Sequence, residues 1–359
     1  MTQTAVDLAP PLPLPGIRRR LTSAELAGLA GLGALALLPL PFGSFGFFVG
    51  QFALIYAILG LSVVVVTGYA GLVSLMTYSF AGIGAMVTGI AMASWGWPFW
   101  LALPLAALAT VPVSIIVGVT AVRLKGLYLA IATLTLADAL GETFFKWSRA
   151  TGGQSGWLVS RPKPFVSDAS YYILLLVVAM ALVWMVTGLR SSRIGRAMLA
   201  VRSNEREAQA LGINVYKTKL IAFLISGMLG GIGGGFLALL LKQVTRSAFQ
   251  SPLVEATSIL LVTVVVVGGI DRALGAFLGA VALVVQQQVF QGARFFFAYF
   301  GIYSAGLLIM FLLYRPGGLM QVARLQWRLI RARPRVGITV AVSIIAINVG
   351  VAWLFVRLG

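Results

Sequence analysis

The 359-residue chain contains no cysteine and no histidine. Without cysteine it has no disulfide and no thiol nucleophile, and without both residue types the Cys/His metal sites are excluded. The imidazole on which many proton relays and general acid–base sites depend is also missing. The sequence therefore predicts no catalytic site, no metal site and no bound cofactor.

Charge is also scarce, since only 10% of the residues are charged against about 25% in an ordinary soluble domain. Apolar residues make up 60% of the chain. Several uncharged windows have the length of about 18 to 25 residues that a helix needs to cross hydrocarbon. The strands of a membrane barrel are shorter and alternate in polarity. We predict an all-α polytopic integral membrane protein with about 10–11 transmembrane helices.

The charge that is present is mostly basic, with a formal net charge of +18. In a soluble protein this excess would suggest nucleic acid as a partner. Here the Lys and Arg residues lie in the loops, where they set the orientation of the spans, so we expect no nucleic-acid binding. The bias predicts a cytoplasmic N-terminus and contacts with anionic lipid headgroups.

The chain divides into three predicted parts. Residues 1–22 form a disordered cytoplasmic tail, residues 23–320 a transmembrane domain, and residues 321–359 a basic connector with an extra C-terminal transmembrane helix. The predicted spans are Ala24–Phe42, Phe47–Thr67, Gly71–Ala93, Pro98–Val122, Leu127–Phe145, Tyr171–Leu189, Leu220–Leu241, Leu253–Ile270, Ala273–Gln291, Phe295–Tyr314 and Ile338–Val356. The segment Gly71–Ala93 is rich in Gly, Ala and Ser, and a broken or re-entrant segment is the alternative there.

A basic loop at residues 190–219 interrupts the apolar spans, with seven Lys/Arg against two Glu. Its charge assigns it to the cytoplasm. Asn204 followed three residues later by Glu207 predicts a helix start, and Gly212 predicts the end of that helix. The loop therefore presents a short exposed helix suited to docking on a soluble partner.

Acidic residues inside the predicted spans are few. Asp138, Glu142 and Lys146 are spaced four apart and share one helix face. A carboxylate at mid-membrane costs on the order of 2.5 kcal/mol or more, so such residues face a bundle interior or water. Two interpretations of Asp138 remain open, a lining of a solute pathway and a structural partner of an arginine or a backbone donor.

Small residues recur at four-residue spacing, at Ala81/Ala85, Gly227/Gly231/Gly235 and Gly275/Gly279, and five glycines lie within residues 230–235. In lipid, such residues let helix backbones approach closely. They fit both ordinary helix packing and a mobile helix interface, with a deformable helix around residues 230–235.

Several motifs carry a family resemblance. GYAGLVSL at 68–75 with FAGIGA at 80–85, LKGLYLAIATL at 124–134, TGG at 151–153 with Gly156, the loop 192–214 and YRPGGL at 314–319 are similar to signatures of the permease family of bacterial ABC importers for branched-chain amino acids. Within that family the chain resembles the LivM-type subunits, over about residues 47–319. It departs from them at GGIDRALG (268–275), at Gln286–Gln288 and in its extra C-terminal span.

This resemblance implies the permease subunit of an ATP-driven importer in the bacterial inner (plasma) membrane, without enzymatic activity. It implies a second, LivH-like permease, two ABC ATPase subunits and an extracytoplasmic solute-binding protein as partners. The chain contains no G-x-x-x-x-G-K-[ST] loop of its own for ATP. Branched-chain or other amino acids are the expected solutes, and urea, short amides and aromatic acids are the alternatives within the family.

The resemblance also marks two groups of site residues. Those expected to couple the chain to the ATPases are Arg196, Arg202, Asn204, Glu205, Glu207, Ala208, Ala210 and Gly212. Those expected to line the translocation pathway are Ser74, Tyr78, Thr133, Asp138 and Glu142.

Two other classes of protein were weighed. An ion-coupled secondary transporter would use Asp138 and Glu142 as cation sites, but it predicts inverted repeats with broken helices. The sequence has no convincing repeat of this kind, and that hypothesis leaves the loop 190–219 unexplained. A membrane enzyme is disfavoured because histidine and cysteine are missing and buried carboxylates are few.

The first prediction concerns the tail. The arginines at 324, 328, 331, 333 and 335 hold the connector on the cytoplasmic side by about 1 kcal/mol each on anionic lipid. We expect a final span at the periphery, so deletion of everything after Arg335 should preserve assembly and most solute uptake. Complete loss of uptake at normal membrane abundance would assign this helix to the core.

Overall fold

The computed structural model of the chain describes residues 43–124, 126–250, 253–292 and 306. The predicted tail 1–22, the predicted span Ala24–Phe42 and the connector with its helix at 321–359 lie outside the described residues. So does nearly all of the predicted span Phe295–Tyr314.

The described part is almost entirely helical. The α-helices are α1 Gly43–Val63, α2 Thr77–Ala93, α3 Phe99–Ala109, α4 Val111–Arg123, α5 Leu127–Glu142, α6 Ser148–Thr151, α7 Asp168–Ser191, α8 Arg193–Ser203, α9 Glu205–Ala210, α10 Val215–Leu241, α11 Leu253–Gly268 and α12 Ala273–Gly292. A π-helical turn, Val64–Tyr69, continues α1, and 3-10 turns occupy Phe144–Lys146 and Arg246–Phe249. Two short strands, β1 Trp157–Leu158 and β2 Gln243–Val244, pair antiparallel.

Five helical segments of the described residues are long and apolar enough to cross a membrane. They are Gly43–Tyr69, Phe99–Arg123, Leu127–Lys146, Asp168–Ser191 and Val215–Leu241. Helices α11 and α12 add a sixth if the pair, bent by 115°, counts as one broken span. These helices confirm the prediction of an all-α polytopic membrane protein.

Three predicted spans differ from the helices observed. In the predicted span Gly71–Ala93, the helix begins only at Thr77 and has 17 residues. The chain before it is irregular because Gly71 has a φ of +70° and lies against Arg202, whose Cγ would be 2.7 Å from a Cβ at that position. The spans predicted at Leu253–Ile270 and Ala273–Gln291 hold α11 and α12, and this pair of helices is bent by 115° at the break between them.

Helix α10 is the centre of the bundle and contacts α1, α2, α3 and α4. Hydrogen bonds reinforce this packing: the Ser62 and Ser226 hydroxyls lie 2.8 Å apart, and the Tyr171 hydroxyl donates to the Phe236 carbonyl at 2.7 Å. Helix α5 is peripheral, because only 28% of the residues in its most apolar stretch are buried, against 72% for α10. The α5 face is therefore open to lipid or to another subunit.

The glycine-rich run of α10 is where its backbone comes closest to its neighbours. A Cβ on Gly234 would lie 1.9 Å from the Ala81 carbonyl oxygen, and one on Gly84 would lie 2.2 Å from the Gly231 carbonyl oxygen. Helix α10 stays continuous through this run. The small residues thus serve backbone packing of α10 against α2, as expected where lipid supplies no hydrophobic drive between helices.

We predict that Gly234→Ala destabilises the bundle, because the added methyl group must push α10 away from α2. Overpacking of this kind costs about 1–3 kcal/mol, so the midpoint of thermal unfolding in detergent should fall by several degrees. The matched control is Gly141→Ala in α5, where a Cβ meets nothing within 4 Å. Alanine favours the helix over glycine, so this control should keep or raise the midpoint. Equal midpoints for the two variants would contradict the packing argument.

Candidate functional site

The basic loop folds as two short helices, α8 and α9, which meet at Asn204. We call residues 193–212 the elbow. Helix α8 is capped by Ser192, whose hydroxyl accepts a hydrogen bond from the Gly195 amide at 3.1 Å. Helix α8 contacts α7, α10 and the π-helical turn of α1, so the elbow is seated on the bundle.

Helix α9 begins with the cap that its sequence predicts. The Asn204 Oδ1 accepts hydrogen bonds from the amides of Arg206 at 3.0 Å and Glu207 at 3.5 Å. In return the Asn204 amide group donates to Glu207 Oε1 at 2.6 Å. These bonds satisfy amides that the first turn of a helix leaves without partners. The predicted helix start at Asn204 is confirmed.

The end of helix α9 is closed by Gly212, two residues after the last helical residue, also as predicted. Gly212 has a φ of +80°, its amide donates to the Gln209 carbonyl at 2.9 Å, and the Ile213 amide donates to the Ala208 carbonyl at 3.0 Å. This pair of bonds with a left-handed glycine is the Schellman ending of a helix. Ile213 also packs on a small cluster of Val201, Ala208 and Val215, which fixes the elbow against α10.

The predicted coupling residues divide between two faces of the elbow. Arg196, Glu207, Ala210 and Gly212 are exposed, together with Leu211, which is 78% exposed and which the sequence prediction omitted. Arg202 and Asn204 are exposed as well, Glu205 is half-buried and Ala208 is buried. Asn204 caps the junction, and Arg202 and Glu205 form ion pairs with the bundle. We call the exposed side of α9 and its end, with Glu207, Ala210 and Leu211, the outer face of the elbow.

Arg202 ties the end of α8 to two other parts of the bundle. Its guanidinium forms an ion pair with Asp271, with Nη1 and Oδ1 2.6 Å apart, and donates to the Gly68 carbonyl at the end of the π-helical turn. Asp271 lies in the turn between α11 and α12, and its own carbonyl accepts a hydrogen bond from Arg190. Three separate chain segments therefore meet at one guanidinium.

Glu205, the first residue of α9, forms an ion pair with Lys219 in α10, at 2.8 Å between Oε1 and Nζ. The Lys219 side chain is only 1% exposed, and its ammonium also donates to the Ala121 carbonyl of α4 at 3.5 Å. The prediction that Lys219 is a loop charge is wrong, because Lys219 lies inside α10. Its spacing from Val215 and Ala222, both buried in α10, was the signal that it lies on the inward helix face.

Three of the predicted pathway residues are buried, and two of them lie on neighbouring segments that touch. The Thr133 hydroxyl accepts from the Leu75 amide at 3.1 Å and donates to the Ala130 carbonyl at 2.9 Å. Ser74, beside Leu75, is buried. The Tyr78 ring packs against Phe249 in a tilted arrangement, with ring centroids 5.3 Å apart. The irregular segment before α2 is thus held against α5.

Asp138 and Glu142 lie further along α5. Asp138 is half-buried, with its Oδ1 shielded from solvent. Glu142 is exposed and pairs with Lys146 one turn on, as the four-residue spacing indicates. Together with exposed Thr135, these carboxylates put polar groups along the outward side of a peripheral membrane helix. Their assignment to the pathway stays a prediction.

An apolar bundle of long helices, which carries a capped polar elbow between two of them, defines an integral membrane protein of the permease type. The chain belongs to the family described as the branched-chain amino acid transport system / permease component, whose family model matches residues 47–313.

Individual relatives extend the comparison. The chain is 28% identical over 312 residues to the high-affinity branched-chain amino acid transport system permease protein LivM of Escherichia coli strain K12. The aligned region covers 78% of this chain and 71% of the relative. It is 28% identical over 168 residues to the probable branched-chain amino acid transport permease protein LivH of Methanocaldococcus jannaschii, covering 44% and 48%. It is 35% identical over 102 residues to the guanosine ABC transporter permease protein NupQ of Bacillus subtilis, covering 28% and 30%. No solved structure matches the chain significantly.

Proposed function

We propose that the chain is the transmembrane permease subunit of an ATP-driven ABC importer in the bacterial inner membrane. It assembles with a second, LivH-like permease and two ATPase subunits, and it receives solute from an extracytoplasmic binding protein. The observation that carries this proposal is the elbow. A helix with complete caps at both ends and an exposed outer face, set between two membrane helices, has the form of a docking surface for a soluble partner.

The outer face of the elbow is where the ATPases act in this proposal. Leu211 supplies an apolar contact, and Glu207, one turn before it, supplies a charge beside it. Arg196 is a further exposed charge, on α8. The caps make α9 a rigid body, so a push on the outer face displaces the helix as a unit instead of unravelling it. Closure of two ATPases would then tilt the bundle between outward-open and inward-open states.

The second permease covers the outward side of α5. Thr135, Asp138 and Glu142 follow one another at spacings of three and four residues and lie on one side of the helix. Carboxylates at membrane depth do not face acyl chains. A second permease on this side would enclose the polar groups between two subunits, with Ser74 and Thr133 behind them, and would form the solute pathway there.

Branched-chain or other amino acids are the solutes we propose. The support is that the similarity to LivM extends over 78% of this chain, whereas the similarity to the guanosine permease is confined to 28% of it. The chain is a transport subunit without a catalytic site in this proposal. An ion-coupled secondary transporter is the rival account.

Uptake into proteoliposomes tests the proposal. The chain is reconstituted with its second permease, its two ATPases and its binding protein, and radiolabelled leucine uptake is measured with and without internal ATP. ATP-dependent uptake that disappears when the ATPases are left out supports the importer. Uptake by the chain alone on an ion gradient would establish the secondary transporter instead. Competition by unlabelled valine, guanosine, ribose and urea then identifies the solute class.

We predict that Glu207→Lys and Gly212→Pro abolish uptake and uncouple ATP hydrolysis from it while the chain remains inserted. The lysine removes the acceptor of the Asn204 amide group and reverses a charge on the outer face. Proline cannot adopt the φ of +80° found at Gly212. Uptake and ATP hydrolysis are measured on the same proteoliposomes. Gly96→Pro is the matched control. Gly96 also has a positive φ, of +67°, but it lies in the loop between α2 and α3 and not in the elbow. Wild-type uptake in both elbow variants would remove the elbow from the mechanism.

We predict that Asp138→Asn leaves the unfolding midpoint unchanged within about 2 °C, since the amide keeps the shape of the carboxylate and removes its desolvation cost. Solute uptake should fall severalfold, because a charge beside the pathway is lost. The two measurements are made on the same purified complex. A lowered midpoint with normal uptake in the surviving protein would instead make Asp138 a structural partner.

A further inference from the structure

We infer that two ion pairs, Arg202 with Asp271 and Glu205 with Lys219, carry the displacement of the elbow into the membrane bundle. The inference rests on the proposed function and names the residues through which the elbow acts. Arg202 and Glu205 flank the bend at Asn204. They have opposite charges, and each reaches a different part of the bundle.

The first link leads to α1, α11 and α12. Arg202 lies in the last turn of α8, where a cation is favoured by the helix dipole. Its guanidinium holds the Asp271 carboxylate and the Gly68 carbonyl together. Asp271 stands in the turn at which α11 and α12 bend by 115°. A movement of α8 is therefore applied directly to the point where this helix pair folds back.

The second link leads to α4 and α10. Glu205 lies in the first turn of α9, where the helix dipole favours a carboxylate. Lys219 is in the second turn of α10 and its side chain is 1% exposed, so its charge needs partners inside the protein. These partners are Glu205 on one side and the Ala121 carbonyl, in the last turn of α4, on the other. One ammonium group thus joins the elbow, α10 and α4.

Burial makes this second link stiff. The Lys219 side chain is 1% exposed, whereas Glu205 is 26% exposed. A buried ammonium that loses its carboxylate is left uncompensated in a medium that solvates it poorly, which is strongly unfavourable. If α9 moved away alone, Lys219 would be left charged and without its counter-ion inside the protein. Movement of α9 together with α10 and α4 avoids that cost, so the ion pair favours concerted motion.

The two links reach two groups of helices in the described bundle, and α1 belongs to both groups. Helix α10 contacts α1, α2, α3 and α4, and α12 contacts α1 and α11. A push on the outer face of the elbow consequently reaches both groups of helices from one place. Glu207 and Leu211 receive the push in this scheme, while Arg202 and Glu205 pass it on. Arg202 and Glu205 are positioning residues and need not touch the ATPase.

Neutral double variants separate this role from a merely structural one. Glu205→Gln with Lys219→Met removes both charges, so no buried charge is left unpaired, and the methionine fills the space of the lysine stem. The charge exchange Glu205→Lys with Lys219→Glu restores an ion pair between the two positions with the charges reversed. Lys217→Met, two residues before Lys219 and exposed, is the matched control. Arg202→Gln with Asp271→Asn tests the first link in the same way.

All variants are reconstituted as the complete importer, and solute moved per ATP hydrolysed is measured along with co-purification of the ATPases. We expect both neutral double variants to assemble and hydrolyse ATP while the transport ratio falls about tenfold, in the range of ordinary coupling energies. The charge exchange should recover at least part of the ratio. Lys217→Met should match the wild-type protein.

A wild-type transport ratio in both neutral double variants would overturn the inference, since the pairs would then be structural only. Failure of the neutral variants to assemble would overturn it as well, because it would show that the pairs are needed for folding and not specifically for motion. Failure of the proposed function is distinguishable, because in that case the wild-type complex itself shows no ATP-dependent uptake.

Discussion

The close approach of α10 to its neighbours is the contact on which the rest of the described structure depends. Where its glycines meet the backbone of α2, no side chain intervenes, so the helices behave as one packed unit in a solvent that offers no hydrophobic drive to hold them. The same helix begins at the elbow and carries Lys219 in its second turn. Because α10 is tightly packed at its centre and joined to the elbow by an ion pair near its start, a movement of the elbow displaces the packed helices as one unit.

Features whose partners are close in sequence could be predicted, and features whose partners are distant could not. Asn204 and Glu207 are three residues apart and cap one helix, and Glu142 and Lys146 are one turn apart. The contact of Arg202 with Gly68 spans 134 residues, and that of Lys219 with Ala121 spans 98. The late start of α2 and the burial of Lys219 follow from these long-range contacts. Spacing within one segment places Lys219 on the inward face of α10, but it does not reveal which distant residues Lys219 or Arg202 contacts.

The two carboxylates of α9 illustrate why composition alone misassigns charged residues. Glu205 and Glu207 lie two residues apart in one short helix, so they point to different sides of it. One is tied to a buried lysine, and the other completes a cap on the exposed face. On this account the ATPases meet the second, and the membrane bundle responds through the first. The division of labour within the elbow follows from helix geometry and from the desolvation of one ammonium group.

A distance measurement inside the bundle tests the central claim most directly. The chain contains no cysteine, so spin labels can be attached at two introduced positions, Arg123→Cys at the end of α4 and Trp184→Cys on the exposed side of α7. The account predicts that pulsed electron paramagnetic resonance on the assembled importer shows this distance changing when ATP binds. Without the ATPase subunits, ATP should leave it unchanged. An unaltered distance in a complex that transports solute would contradict the claim that the elbow moves α4 and α10 together relative to α7.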